Sequence, residues 1–276
     1  MTNITAAEVN KLRQQTGAGM MDCKKALVES NGDFEKAIEI LRKKGQKLAS
    51  SRADRAANEG VVLAGVNSNS TVASIIMLNC ETDFVAKNQE IIEFTNSILG
   101  LAIEKNISTH EELLEADMGG RKVADNLTDM IGKTGEKLEI SRFFAIAGQK
   151  AVAYIHPGNR IASVAAFNQT NVDEQVGKDV VMQIAAMAPV ALNKDDVEQK
   201  IIDQEIEIGK DLARQEGKPE EMVEKIALGK LNKFFKENTL LNQEFIKDNK
   251  QTVAQMLEAA SKGLTVVAFK RLALGS

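Results

Sequence analysis

A Gly-Lys-Thr tripeptide at 132 to 134, within "MIGKTGEK", matches the end of a phosphate-binding loop. Such a loop also needs a glycine five residues before Gly132, because its backbone N–H groups surround the phosphates where a Cβ would stand in the way. Leu127 occupies that position. The mismatch favours an ordinary loop between a helix and a strand. We therefore expect no nucleotide site and no cofactor in this chain.

Cysteine and histidine are too few and too scattered for an obvious metal or nucleophile site. Cys23 and Cys80 form no CxxC pair, and His110 and His156 are the only histidines. We expect two buried, reduced thiols and no bound metal. The sequence also has neither GxSxG nor HExxH. These observations favour a protein that acts by binding over an enzyme with covalent chemistry.

The segment "NCETDFVAKN" at 79 to 88 places Phe84 between an acid and a base, directly after an apolar run typical of a buried strand. In one interpretation the ring packs back onto its own sheet, and Thr82 or Asp83 caps the next helix. In the other the ring is an exposed anchor, held on a strand-to-helix corner, for a pocket in a partner protein. Periodicity does not decide between them.

Composition limits the classes of partner. The chain has 276 residues, a net charge of −4 and an acidic isoelectric point, and one basic run at 42 to 55 is typical of a solvated helix face or linker. It has no Trp and a single Tyr for stacking on bases. No apolar run approaches the roughly 20 residues of a membrane span. The start, "MTNITAAEVNKL", lacks a signal-peptide layout. We expect a cytoplasmic protein that contacts neither nucleic acid nor membrane.

The first 45 residues have the pattern of three short helices followed by a charged linker. Thr5 and Glu8 have capping-box spacing, and glycines in "TGAG" at 16 to 19 end the first helix. A second helix ends at Asn31-Gly32. Asp33 can cap a third, "FEKAIEILRKKG", whose apolar residues recur at helical spacing.

Two later segments resemble each other. "VASIIMLN" at 72 to 79 aligns without gaps with "IASVAAFN" at 161 to 168, and an amphipathic helix pattern follows each. A strand pair leading into such a helix, present twice, predicts an α+β fold with two related subdomains, each an antiparallel sheet backed by helices.

A pair of long helices is predicted between 191 and 236, with Gly217 ending the first and Pro219 starting the second. This helical hairpin precedes a last strand, "LTVVAFKRLAL", and so is inserted in the second subdomain. The expected division is a helical module with linker at 1–55, a first core subdomain at 56–148, a second at 149–190 and 237–276, and the hairpin, a coiled coil, at 191–236.

The motifs together resemble one family. "TGAGMMDCKKALVESNGDFEKAIEILRKKG", "GVV", "NCETDFVAKN" and "YIHPGNRI" occur in the order typical of translation elongation factor Ts and span nearly the whole chain. The resemblance implies that the first module is of the ubiquitin-associated type. It also implies guanine-nucleotide exchange on the GTPase elongation factor Tu.

The resemblance also implies which residues act. The corner that pushes an aromatic ring into the GTPase and disturbs its Mg²⁺ site is Thr82, Asp83, Phe84 and Val85. The module contacts the GTPase domain through Leu12, Gly17, Gly19, Met20 and Met21. The second subdomain contacts another domain of the partner through His156.

Two features depart from the family pattern. The chain stops at "LALGS", so we expect no contact from the further C-terminal helix that some members have. The strand "RIASVAAF" is also smaller and more polar than expected. The alternative function is a non-catalytic adaptor or chaperone-like scaffold, with the helical module as peptide binder and the hairpin forming a homodimer.

Overall fold

A computed structural model of the chain describes residues 4–275. The described residues divide into two compact units, one formed by residues 4–63, 76–143 and 274–275 and the other by residues 64–75 and 144–273. Helices accompany three small sheets in this range, and the pairings within two of these sheets are antiparallel. The predicted α+β class is confirmed. The four-part division expected from the sequence stays a prediction.

Three helices open the first unit: α1 (Ala6–Thr16), α2 (Met20–Glu29) and α3 (Phe34–Arg52). The predicted caps are present, since Thr5 and Glu8 form a capping box and Asp33 accepts a hydrogen bond from the Lys36 N–H. These caps satisfy N–H groups that a helix leaves without internal partners. The buried side chains between the helices are those of Val9, Leu12, Cys23, Ala26, Leu27 and Ala37.

The first sheet has the order β1-β2-β3, with β1 at Glu59–Val66, β2 at Val72–Cys80 and β3 at Leu138–Ala147. Four helices lie between β2 and β3 in the sequence. They are the single turn α4 (Asp83–Ala86), the longer α5 (Gln89–Glu104), the short α6 (His110–Glu115) and α7 (Val123–Thr134).

The prediction of a charged linker directly after residue 45 is wrong, because α3 continues through Gly45 to Arg52. Gly45 is buried against α7, where a Cβ on it would lie 3.2 Å from the Thr128 carbonyl oxygen and 3.7 Å from the Gly132 Cα. This glycine permits the close approach of two helices and does not end one. The basic run at 42 to 55 is therefore largely a helix packed on α7.

The prediction of a loop at Gly132-Lys133-Thr134 is also wrong, since these residues form the last turn of α7. Gly135, with φ of 75°, ends the helix in the left-handed conformation that favours glycine. The Lys133 ammonium pairs with Glu90. The tripeptide thus belongs to a packed helix end.

The second unit contains an antiparallel sheet of order β4-β5-β8, formed by Lys150–Ile155, Ile161–Phe167 and Val266–Ala273. Helix α8 (Glu174–Met187) packs on β4 and β5. A small pair, β6 (Glu244–Phe245) and β7 (Asp248–Thr252), precedes α11 (Val253–Ala260). Phe167, Val180, Ile184, Leu240 and Leu257 are among the core side chains.

The predicted repeat corresponds to matching elements. β2 and β5 are the middle strands of their sheets, and a helix follows each along the chain. The aligned serines differ in their contacts: the Ser163 hydroxyl donates to the Val181 carbonyl of α8 at 2.6 Å, whereas the buried Ser74 hydroxyl has no hydrogen-bond partner among the described residues. The two copies share strand order but not every polar contact.

The helical hairpin forms as expected from α9 (Gln199–Gln215) and α10 (Glu220–Asn238), which pack against each other. Gly217, with φ of 71°, lies in the turn, and Pro219 is the residue before α10. A Cβ on Gly209 would lie 3.0 Å from the Ala227 Cα. Small residues therefore set the close approach of these helices.

Within residues 4–275, none of the helices combines the length and the apolar character needed to cross a bilayer.

Candidate protein-interaction site

Phe84 projects from the single turn α4 with 83% of its surface exposed, the largest fraction among the exposed large apolar side chains described. An isolated aromatic ring in water costs free energy that a globular chain ordinarily avoids. The structure excludes the interpretation in which the ring packs on its own sheet. The ring instead faces solvent.

Local hydrogen bonds form the corner that carries the ring. Thr82 has extended backbone angles and caps α4, since its hydroxyl oxygen accepts the Val85 N–H at 3.4 Å. One turn later the Lys87 ammonium donates to the Asp83 carboxylate at 2.6 Å, and this hydrogen bond lowers the pKa of Asp83. A helix of four residues has little stability of its own. Contacts from elsewhere must hold it.

Glu136 supplies the first of those contacts. Its carboxylate accepts the backbone N–H groups of Glu81 at 3.1 Å and Thr82 at 3.0 Å, and it accepts the Thr82 hydroxyl at 2.7 Å. The residue lies between α7 and β3, just after the left-handed Gly135. A carboxylate that takes three hydrogen bonds fixes the direction in which the chain leaves β2. Sequence patterns do not predict this role for Glu136.

Glu81 supplies the second contact, in the opposite direction. Its carboxylate accepts the backbone N–H of Lys137 at 2.6 Å and pairs with Arg52 at 2.6 Å and Arg55 at 3.1 Å. The Lys137 N–H bond, with the two arginines, lowers the pKa of Glu81 to about 2. The Glu136 carboxylate thus binds the backbone N–H groups of Glu81 and Thr82, and the Glu81 carboxylate binds the backbone N–H of Lys137, the residue after Glu136. Sequence patterns do not predict this role for Glu81 either.

Cys80 closes the buried side of the corner. Its thiol is buried and donates to the Thr82 carbonyl at 3.1 Å. Burial, with the nearby carboxylates of Glu136 and Glu59, raises the pKa of the thiol to about 12. The thiol stays protonated at neutral pH and acts as a small packing group with one donated bond.

The glycine-rich loop before α2 carries exposed methionines. Gly17 ends α1 with φ of 68°, and Gly19 is the residue before α2. Met20 and Met21 are 55% and 63% exposed. Val28 lies two turns after Met21 on the same face and is also exposed, which the sequence pattern does not predict. Flexible methionine side chains adapt to a partner surface.

Leu12 differs from the other residues predicted to contact a partner. Its side chain is 0% exposed and lies in the core between α1, α2 and α3. A side chain without exposed surface cannot contact a partner in this conformation. The reason is the helical spacing of Val9 and Leu12, which directs both to the core. Leu12 is therefore a core residue of the three-helix module.

His156 lies in the exposed turn after β4, in the second unit. Its backbone N–H donates to the Ile161 carbonyl at 2.8 Å, and its Nδ1 is 2.9 Å from the Tyr154 hydroxyl. The two rings meet edge to face at a centroid distance of 6.0 Å. Tyr154 therefore contacts the exposed imidazole through both its hydroxyl and its ring.

The described surfaces carry an exposed aromatic ring, exposed methionines and one exposed imidazole. Across the described residues, no three His, Cys, Asp or Glu side chains are grouped as a metal ion would require. The corner instead provides an exposed aromatic ring on a short, externally braced turn. Rigid aromatic side chains of this kind contribute most of the binding free energy in many interfaces.

Comparisons with known proteins agree on one family. A model of the family described as Elongation factor TS matches residues 81–276. The chain is 55% identical to Elongation factor Ts from Christiangramia forsetii, with all of both chains covered, and 52% identical to that from Porphyromonas gingivalis over 99% of each. It is 43% identical to the protein of the same name from Clostridium perfringens, covering 99% of this chain and 93% of that one. This chain therefore belongs to the elongation factor Ts family of translation elongation factors.

Proposed function

We propose that this protein is the guanine-nucleotide exchange factor of elongation factor Tu. It binds the GTPase in its GDP-bound form, speeds the release of GDP and remains bound until GTP enters. The observation that carries the proposal is the 83% exposure of Phe84 on a corner held by Glu136 and Glu81. Membership of the elongation factor Ts family supports it.

In the proposed mechanism, Phe84 inserts between helices of the GTPase domain. Magnesium and oriented N–H groups offset the charge of the GDP phosphates, so displacing the ion and shifting the phosphate loop removes the main electrostatic hold on the nucleotide. No covalent chemistry by this chain is required. The role of the exchange factor is to bind the disturbed state of the GTPase more tightly than the GDP-bound state.

The neighbours of Phe84 have separate roles in this proposal. Thr82 sets the start of α4 and so the direction of the ring. Asp83 and Val85 lie beside the ring and contact the rim of the pocket. Asp83 is half-exposed and paired with Lys87, so its contribution is screened and smaller.

Two further surfaces complete the proposed interface. The loop with Gly17, Gly19, Met20 and Met21 contacts the GTPase domain, and its exposed methionines support this role. His156 contacts a different domain of the partner from its exposed turn. The binding is between proteins, in the cytoplasm, without direct contact to nucleic acid or membrane.

A second candidate function is a non-catalytic scaffold that dimerises through the hairpin. The observation favouring it is a group of exposed apolar side chains on α9 and α10, namely Ile208, Leu212, Met222 and Leu228. The two candidates differ in their response to GDP. If an exchange factor lowers the affinity of the GTPase for GDP, then GDP must lower the affinity of the GTPase for the exchange factor by the same ratio. The affinity of a scaffold complex would not change when GDP is added.

The test is release of labelled GDP from elongation factor Tu with this protein at substoichiometric amounts. The proposal requires that each molecule of factor release GDP from many molecules of GTPase. A rate equal to the spontaneous rate, with the factor shown to be folded, contradicts it.

A further inference from the structure

We infer that Glu136 is a positioning residue for exchange, acting through the orientation of Phe84. The inference rests on the proposed function and extends it to a residue on a different segment of the chain. Its basis is the set of three hydrogen bonds from the Glu136 carboxylate to the start of the corner.

Besides the Glu136 carboxylate, the Cys80 thiol donates to the Thr82 carbonyl, and Ala86 at the end of α4 is buried. α4 is four residues long, and its own ring is exposed, so no apolar side chain at Phe84 anchors it to the core. The Thr82 hydroxyl accepts from Val85 and donates to Glu136, which makes one hydroxyl the link between the helix cap and the carboxylate. Without the carboxylate, the hydroxyl and two N–H groups lose their acceptor together.

The carboxylate is itself held from two sides. The left-handed Gly135 sets its approach, and the Thr134 hydroxyl accepts the Glu136 N–H at 3.3 Å. Glu81 returns the contact by accepting the Lys137 N–H while it pairs with Arg52 and Arg55. These contacts thereby connect the end of α3, the end of β2 and the start of β3.

An ordered corner enters a partner pocket without first losing conformational freedom. A mobile corner must be ordered during binding, and that cost reduces the free energy left to displace the ion. Removal of the Glu136 carboxylate is therefore expected to lower the maximal exchange rate at saturating factor by about tenfold, within the range of couplings measured inside one hydrogen-bond network. The concentration for half-maximal rate should change less, because the methionine loop and His156 are intact.

The experiment compares the full-length chain with Glu136→Ala, Glu136→Gln, Phe84→Ala and the double variant Glu136→Ala with Phe84→Ala. Glu104→Gln is the matched control, since Glu104 is an exposed carboxylate of the same unit at the end of α5. Each variant is measured for maximal rate, half-saturation and melting temperature. Hydrogen exchange of the peptide at 81–88 reports the order of the corner directly.

Glu136→Gln keeps one carbonyl acceptor, so its maximal exchange rate should lie between those of the wild type and Glu136→Ala. The 81–88 amides should exchange faster in Glu136→Ala, and the double variant should be no slower than Phe84→Ala alone. Rate losses that multiply in the double variant, or that match the fraction unfolded, overturn the inference while the proposed function stands. A wild type that does not release GDP overturns both.

Discussion

Glu136 and Thr82 are joined by two hydrogen bonds, one from the Thr82 backbone N–H at 3.0 Å and one from its hydroxyl at 2.7 Å. The two residues are 54 positions apart in the sequence. This pair connects the fold to the proposed function, because the corner it fixes carries the exposed ring of Phe84. Neighbouring groups make the corner sensitive to pH and to packing in ways that can be measured.

Glu81 should make stability depend on pH in acid solution. Its pKa is about 2 in the fold and 4.5 in the ordinary state, so the unfolded chain binds more protons between these values. The stabilisation by Glu81 is fully present above about pH 5 and is lost as pH falls toward 2. Glu81→Gln should therefore have a lower free energy of unfolding than the wild type at pH 7. The difference between the two free energies should become smaller as pH falls.

Urea unfolding at pH 7, 5 and 3.5 measures that gap. Glu104→Gln, which changes an exposed carboxylate away from the arginines, should show no such narrowing. A Glu81→Gln gap of constant size at all three pH values would show that ionisation of Glu81 does not stabilise the fold.

The same substitution at the two aligned serines should change the free energy of unfolding by different amounts. Ser163→Ala removes the bond to the Val181 carbonyl and should cost about 1 kcal/mol. Ser74→Ala removes a buried hydroxyl without a partner among the described residues, so it should be neutral or stabilising by up to about 1 kcal/mol. Each variant is the control for the other in denaturant unfolding, and equal losses would contradict the assigned contacts.

Gly45→Leu should separate α3 from α7. Even a Cβ at this position lies 3.2 Å from the Thr128 carbonyl oxygen, and a leucine side chain has no space there. The expected cost is about 1 to 3 kcal/mol in thermal or urea unfolding. Gly229→Leu is the control, because that helical glycine in α10 has no atom near its Cβ position. Equal stability of the two variants would mean that the helices do not pack at Gly45.

Sequence patterns predicted the features that depend on neighbours along the chain. The capping box at Thr5 and Glu8, the cap at Asp33 and the turn at Gly217 all follow from contacts within a few residues. The α+β class followed from the repeated strand and helix pattern. These signals are local, so a single sequence contains them.

Features that depend on distant contacts were missed. Gly45 has the local signature of a helix end, and only its approach to Gly132 shows why α3 continues. Glu136 is one acidic residue among many until the fold places it beside Thr82. Periodicity could not decide whether the Phe84 ring is buried or exposed, because a helix of one turn has too few residues to define an apolar face.

The most direct test of the proposed mechanism is the rate of GDP release from elongation factor Tu stimulated by Phe84→Ala, measured beside its melting temperature. An aromatic hot spot typically contributes about 2 kcal/mol or more, so stimulated release should fall at least about tenfold. The melting temperature should stay nearly unchanged, because the ring is 83% exposed in the free protein. Release at the wild-type rate per folded molecule would contradict the assignment of Phe84 as the residue that opens the nucleotide site.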